Sequence, residues 1–333
     1  MVTPYFINIR ATLIDFLEKA KLDIKVAMYW FTNLELFEKL CQKLQEGVKV
    51  ELIVFNDYVN NRLEGLNFQR FIDLGGKFYF SNNDNPIHHK FCIIDNEVLI
   101  NGSYNWTYFA ENKNRENIVV LTNDKNTIDA FVDEFRRLKL NLKLIDIINY
   151  FSIDKFATND MLSNKDYLAN DLIYQALDTK NYFFAKMAFE LAPENIDIQK
   201  IAVDNSLVQI IQLTNSISVG IKGGKYLLGV PKGATLPLKI TKDLTTSEDN
   251  QTTCATLIHV GAAHVPLPPF KSKNGYSSGV CLYNLPAKPK GVVKMKVEFS
   301  VDINRQLIVK FFCLENLCED IYNLDISFMT EIV

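Results

Sequence analysis

The 333 residues contain no apolar run approaching the roughly 20 needed to cross a bilayer. The opening "MVTPYFINIRATLIDFLEKAKL" lacks the layout of a signal peptide, because charges interrupt it every few residues. A cytoplasmic protein without integral membrane association is therefore expected. Charge of one sign is scarce as well. The chain carries 36 Lys and Arg against 39 Asp and Glu, a net charge of −3. That is too small for a global field drawing in nucleic acid or an anionic membrane, so a nucleic-acid substrate would need a local basic groove. No internal repeat and no low-complexity tract is present. No Gly-rich phosphate loop occurs either; Gly223-Gly224 reads as a turn, and ATP binding is not expected. The six cysteines (Cys41, Cys92, Cys254, Cys281, Cys313 and Cys318) are scattered, mostly in apolar runs. They read as reduced, buried thiols, and Cys313-x4-Cys318 alone does not specify a metal. No metal and no other cofactor is expected.

What is present divides the chain by period. Over residues 1–145, helical stretches ("NIRATLIDFLEKAK", "NLELFEKLCQKLQEG" closing on Gly47) alternate with strands ("DIKVAMYWF", "VKVELIVF"). This alternation predicts a sheet with helices on both faces, an α/β sandwich. Residues 146–205 read as an acidic helical connector, with "NDLIYQALDTKNYFFAKMAFEL" its clearest piece and Pro193 an interruption. From 206 to 313, short β-branched runs separated by turn signals predict an antiparallel β-sandwich. In it, "HVPLPPFKSKNGYSSG" reads as a long exposed loop, and residues 314–333 as a tail.

The densest chemistry is in "IHHKFCIIDNEVLINGSYNW", residues 87–106, which holds two of the four histidines. Two apolar runs joined by Asp95-Asn96-Glu97 predict a tight hairpin. Strand alternation puts His88, Lys90 and Cys92 on one face and His89 on the other. Folding back about Asn96 brings Ser103 roughly opposite His88. Ser103 and Asn105 then lie where the strand hands over to a short helix, "NWTYFAEN", whose free N–H groups suit an anion. An imidazole, an ammonium, a hydroxyl and an amide thus converge on a spot fitted to a phosphate.

His88, Lys90, Asp95, Gly102, Ser103, Asn105 and Glu116, with "AMYWFTNLELFEKL" and "GVKVELIVFND" around them, resemble the phospholipase D superfamily over residues 1 to about 140. The resemblance is to members with one motif per chain. It implies a metal-independent phosphodiesterase that works through a phosphohistidine, with a second histidine protonating the leaving oxygen. One copy of the motif is present, so the second His88 is expected from another subunit of a homodimer. His88 is nucleophile in one subunit and general acid in the other. Lys90, Asn105 and Ser103 hold the non-bridging oxygens. Glu116 accepts from the other ring nitrogen of His88, and Asp95, at the far end of the strand, is structural. His89 is expected to pack or touch substrate, and Trp106 to belong to the core.

A second resemblance covers residues 206–313. "TTSEDNQT" and "LPAKPKGVVKMKVEFSVD" are similar to the peptide-binding β-sandwich of seventy-kilodalton heat-shock chaperones. It implies a peptide groove at Ile221, Leu244, Cys254, Thr256 and Met295, with Ser247 at an arch above it. The "IKGG" turn is shorter than usual, Thr256 places a hydroxyl where an aliphatic group is customary, and the helical lid and ATPase domain are missing. ATP-driven cycling is excluded; an ungated groove or a scaffold without ligand is left. The first reading is a nuclease with a C-terminal module sensing a peptide or partner protein, by analogy a conditional effector such as an antiviral defence protein. The alternatives are a phospholipase D-type lipid phosphodiesterase and a non-catalytic peptide-binding adaptor.

Overall fold

The computed structural model describes all residues except 83, 85, 152–163, 194, 269 and 270. Two compact units result, Met1–Leu191 and Ala192–Val333. The first runs β1 (Val2–Tyr5), α1 (Ile9–Glu18), β2 (Asp23–Met28), α2 (Leu34–Gln45), β3 (Lys49–Phe55), α3 (Phe68–Asp73), β4 (Lys77–Ser81), β5 (Lys90–Ile94), β6 (Val98–Gly102), α4 (Tyr108–Asn112), β7 (Ile118–Thr122), α5 (Lys125–Leu140) and β8 (Leu144–Ile145). It closes with α6 (Lys165–Thr179) and α7 (Tyr182–Leu191).

The eight strands form one mixed sheet in the order β1-β7-β6-β5-β2-β3-β4-β8. Only β2-β3 and β3-β4 pair in parallel, as expected where a helix provides the crossover. Strand alternation sorts the side chains onto two cores. Val26, Leu52, Cys92 and Ile94 face the helices α1, α2 and α3, while Ala27, Ile53, Phe91 and Ile93 face α5. In α2, Leu36, Phe37, Leu40, Cys41 and Leu44 recur at helical spacing and are buried. Asn33 caps its start by accepting from the Leu36 amide at 3.1 Å. Its end falls at Gly47, whose φ of +87° few other residues tolerate. The β5-β6 hairpin turns where expected, with Asp95 and Asn96 both left-handed (φ 55° and 53°).

Of the connector expected over 146–205, residues 152–163 lie outside the described residues. Its helices divide between the units: α6 and α7 belong to the first and α8 (Ile196–Asp204) to the second. The stretch read as one helical piece breaks at Lys180, which is left-handed (φ 52°), and Asn181 Oδ1 accepts from the Phe183 amide at 3.0 Å to open α7.

Beyond α8 the second unit is β-rich and wholly antiparallel. A three-stranded sheet orders β12 (Thr235–Leu236), β9 (Ile211–Leu213) and β20 (Thr330–Ile332). A four-stranded sheet orders β13 (Leu238–Thr245), β17 (Lys294–Val301), β18 (Gln306–Cys313) and β19 (Glu319–Asp325). A five-stranded sheet joins β11 (Lys225–Val230), β10 (Ile217–Ile221), β14 (Cys254–Val260), β15 (Val265–Pro266) and β16 (Gly279–Leu282). Their inward residues, among them Val219, Ile258, Leu282, Val297, Phe299 and Val309, share one core.

Two local expectations are corrected. Residues 314–333 are not a loose tail, because β19 pairs with β18 along seven residues and β20 with β9. Nor is the described part of 264–279 a free loop. Asp320, fully buried, accepts from Ser272 Oγ at 2.6 Å, the Asn274 amide at 2.7 Å and the Cys281 amide at 2.7 Å, which ties that segment down.

Candidate functional site

His88 lies just before β5, exposed at the end of the sheet where β2 also ends. Its ring rests on Tyr29, with centroids 4.6 Å apart. Lys90, on the same strand face, sends Nζ to 3.5 Å from His88 Nδ1 and donates to the His88 carbonyl at 3.0 Å. The same ammonium lies 5.4 Å above the Tyr29 ring. His89 turns to the opposite face, as strand alternation requires, and its Nε2 sits 3.5 Å from Glu134 on α5.

Register brings the rest of the motif to this end. β5 pairs with β6 as Phe91↔Asn101, which carries Gly102 and Ser103 alongside Lys90 and His89. Gly102 must be glycine: a Cβ there would lie 2.1 Å from the Asn117 carbonyl oxygen, so β7 could not approach. Ser103 Oγ donates to Glu116, and the Asn117 amide donates back to Ser103 Oγ at 3.2 Å. Asn105 accepts at Oδ1 from the Trp30 amide at 3.3 Å.

The expected bond from His88 to Glu116 is not made within the single chain. Both Glu116 oxygens are occupied, Oε2 by Ser103 and Oε1 by Asn114 Nδ2 at 2.9 Å, and Lys90 is the group beside Nδ1. Glu116 acts on the site through charge instead, as the main attraction favouring protonated Lys90. The helix N-terminus expected to cradle an anion is also occupied. α4 starts only at Tyr108, and its first free amides are taken by Thr107 Oγ1 (Ala110, 3.1 Å) and Asp171 Oδ1 (Phe109, 2.9 Å).

Desolvation lowers the pKa of His88 below 6.5, and the neighbouring Lys90 and His89 side chains add to this. Burial likewise holds Lys90 below its usual value, against the pull of Glu116. At neutral pH the arrangement is a neutral imidazole beside an ammonium, an amide and a hydroxyl, able to present a nucleophile to a phosphate and to neutralise its oxygens. Asp95 stands apart at the far turn, where its carboxylate accepts from the amides of Lys21 (2.9 Å), Leu22 (2.7 Å) and Asp23 (2.9 Å). Trp106 is 2% exposed and packs edge-on against Phe31.

Three neighbours of the site went unread in the sequence: Tyr29, Trp30 and Asp57. Trp30 Nε1 donates to Asp57 Oδ2 at 2.7 Å, and burial pushes Asp57 up to about 6. The aromatic pair at the end of a β2-like strand was the available signal. Among the described residues, no group of three or more His, Cys, Asp or Glu side chains is placed to hold a metal ion.

In the second unit, Ile221, Leu244, Ser247, Cys254, Thr256 and Met295 all line one cavity of about 750 Å³ between the ends of β10, β13, β14 and β17. Thr256 Oγ1 is not left bare; it donates to the Gly220 carbonyl at 2.6 Å. Lys222, from the short turn after Ile221, pairs with Glu248 at 2.9 Å and ties that turn to the loop beyond β13.

The model of the family described as "cardiolipin synthase, PLD-like domain" matches residues 13–139. The mitochondrial cardiolipin hydrolase of Chlamydomonas reinhardtii is 31% identical over 125 residues, 38% of this chain and 55% of that protein. Its Homo sapiens counterpart is 30% identical over 135 residues, 40% of this chain and 52% of that protein. The chain thus spans about half the length of these curated relatives. Among solved structures, a phospholipase D family member, Nuc from Salmonella typhimurium, is 22% identical and covers 44% of this chain and 99% of its own, with a TM-score of 0.41. The family match ends at residue 139 and does not reach the β-rich unit. His88, Lys90, Ser103, Asn105 and Glu116 all fall inside it, and residues 13–139 form a PLD-like domain.

Proposed function

We propose that the chain is a metal-independent phosphodiesterase whose substrate is a nucleic-acid strand, cleaved through a phosphohistidine at His88. The observation that carries the reading is the placing of His88, Lys90 and Ser103 at one end of the sheet, with Lys90 Nζ 3.5 Å from His88 Nδ1 and Asn105 held to the Trp30 amide. His88, neutral in one copy, attacks phosphorus, the bond to the leaving oxygen breaks, and that oxygen takes a proton from the His88 of a second copy, which enters the step as an imidazolium. The same second imidazole, now neutral, draws a proton from water, whose oxygen displaces His88 from phosphorus. Lys90 and Asn105 offset charge on the non-bridging oxygens throughout. Two exposed basic residues favour nucleic acid: Lys113 and Arg115 stand in the loop leading to Glu116.

A phospholipid is the second reading, supported by the names of the curated relatives. It has a structural support too. Phe6 and Ile7, 68% and 77% exposed, follow Tyr5, which pairs with Ile118 next to Asn117 at the site end of the sheet. One assay separates the two. The protein in EDTA is given single-stranded DNA, duplex DNA, RNA and cardiolipin or phosphatidylcholine vesicles, alongside His88→Ala. Cleavage of nucleic acid that drops about a thousandfold in the variant supports the first reading. Cleavage confined to vesicles replaces it with the second, and no cleavage of any substrate removes both.

For the second unit the proposal is a site for an extended peptide segment of a partner, using the cavity at Leu244 and Met295. The support is that six residues singled out from four strands and the loop after β13 line one cavity. Leu244→Asp is expected to abolish capture of apolar heptapeptides by the full-length protein in fluorescence anisotropy; wild-type protein that binds none of them rules the groove out.

A further inference from the structure

Tyr29 is the first residue beyond β2, and its backbone carries the β2-β5 pairing one step further. Its amide donates to the His89 carbonyl at 2.9 Å, and its own carbonyl accepts from Asn60 Nδ2 at 2.7 Å. The ring packs on Trp30 and Phe55, with centroids 4.6 and 5.1 Å away. Trp30 is in turn tied by its indole N–H to Asp57 Oδ2 at 2.7 Å. On this fixed ring rest two groups of the candidate site. The His88 imidazole lies 4.6 Å from its centroid, tilted by 56°, and the Lys90 ammonium stands over its face at 5.4 Å.

An ammonium has three N–H groups and one charge to place. Lys90 gives one N–H to the His88 carbonyl at 3.0 Å, and its Nζ stands 3.5 Å from His88 Nδ1. Among the described residues no carboxylate forms an ion pair with it, and Glu116 has both oxygens engaged by Ser103 and Asn114. A carboxylate in the place of Tyr29 would cancel the charge and compete with a phosphate. The face of an aromatic ring attracts the ammonium through its quadrupole and carries no net charge, so the positive potential is kept. Resting on the reading of His88 and Lys90 as a phosphate site, we propose that Tyr29 is a positioning residue whose ring face holds the Lys90 ammonium beside His88 Nδ1. The charge is thereby left open to the non-bridging oxygens of the substrate. Without the face, the flexible four-carbon stem is restrained by the bond to the His88 carbonyl alone, and the ammonium swings out to water.

Two variants test this. Tyr29→Leu removes the ring face and keeps an apolar side chain, while Tyr29→Phe keeps the face and deletes the hydroxyl. With the substrate that wild-type protein cleaves, Tyr29→Leu is expected to lower kcat about tenfold with KM within about threefold, and Tyr29→Phe to stay within about twofold in both. A readout independent of turnover is the proton NMR titration of the His88 ring in the full chain, its signal identified by its loss in His88→Ala. The neighbouring Lys90 and His89 side chains hold this ring toward its neutral form. An ammonium released from Nδ1 lets the imidazole take its proton at higher pH, so the midpoint should rise in Tyr29→Leu and stay in place in Tyr29→Phe. In a Lys90→Met background there is no ammonium to hold, and Tyr29→Leu should move the midpoint no further. An unmoved midpoint in Tyr29→Leu, an equal rise in the Lys90→Met background, or a Phe variant as slow as the Leu variant overturns the proposal while leaving the phosphodiesterase reading intact. If wild type cleaves nothing, that reading fails by itself, and the titration still decides whether Tyr29 holds Lys90.

Discussion

At the scale of single residues, what distinguishes His88 is its protonation. Desolvation first, then Lys90 and His89, hold its pKa below 6.5, so the ring stays neutral and nucleophilic to lower pH than an ordinary histidine. Protonation on acidification removes the nucleophile, and the acid limb of kcat/KM is therefore expected to have its midpoint below 6.5. Lys90→Met removes the larger of the two charge contributions. The limb should move to higher pH as the rate falls; a limb that stays in place, or moves down, contradicts this electrostatic account. Asp95 illustrates a different use of charge. Three backbone amides converge on its carboxylate, 72 to 74 residues away in sequence, and fix the start of β2 against the hairpin that carries the histidines. The His88-Lys90 pair sits at the other end of the strands.

Among the elements, the β5-β6 hairpin and its neighbour β7 decide whether the site exists. His88 and Lys90 come from one side, Ser103 from the next strand and Glu116 from the approach to the third, so their spacing is the strand spacing of the sheet. Gly102 is where that spacing is most constrained, because a Cβ would also come within 2.8 Å of Ile118 Cα. Gly102→Ala is expected to push β6 from β7, lower stability by about 3 kcal/mol in urea titration and separate Ser103 from Glu116. Unchanged stability would mean that the strands part at no cost. α6 adds to this arrangement from outside the matched region, and α4, though only five residues long, serves as the surface it docks on.

For the whole molecule, the consequence is assembly. One chain holds a single His88-Lys90 pair, and the proposed reaction needs a second imidazole, so that proposal requires a two-fold dimer with the same patch facing itself. Co-expression of wild type with an equal amount of His88→Ala makes this measurable. Random pairing leaves about a quarter of dimers with two intact imidazoles, so specific activity should fall to about a quarter of wild type. A fall to half would mean that each chain works alone. Among the described residues no helix is long and apolar enough to cross a membrane.

From the sequence alone, the alternation of periods determined the sheet with helices on both faces, the hairpin at Asp95-Asn96 and the turn of His89 to the face opposite Lys90. All of these follow from neighbours a few residues apart, where side-chain direction is set by the backbone's own repeat. The cavity residues of the β-rich unit were named through a resemblance of their motifs, in a region that the family match does not reach. Tertiary structure alone decided which group meets which. It put Lys90 rather than Glu116 beside His88 Nδ1, filled the first amides of α4, and laid Tyr167 on Trp30 across 137 residues of chain. Such contacts join segments with no common period, so only the packing of whole elements against one another brings them together.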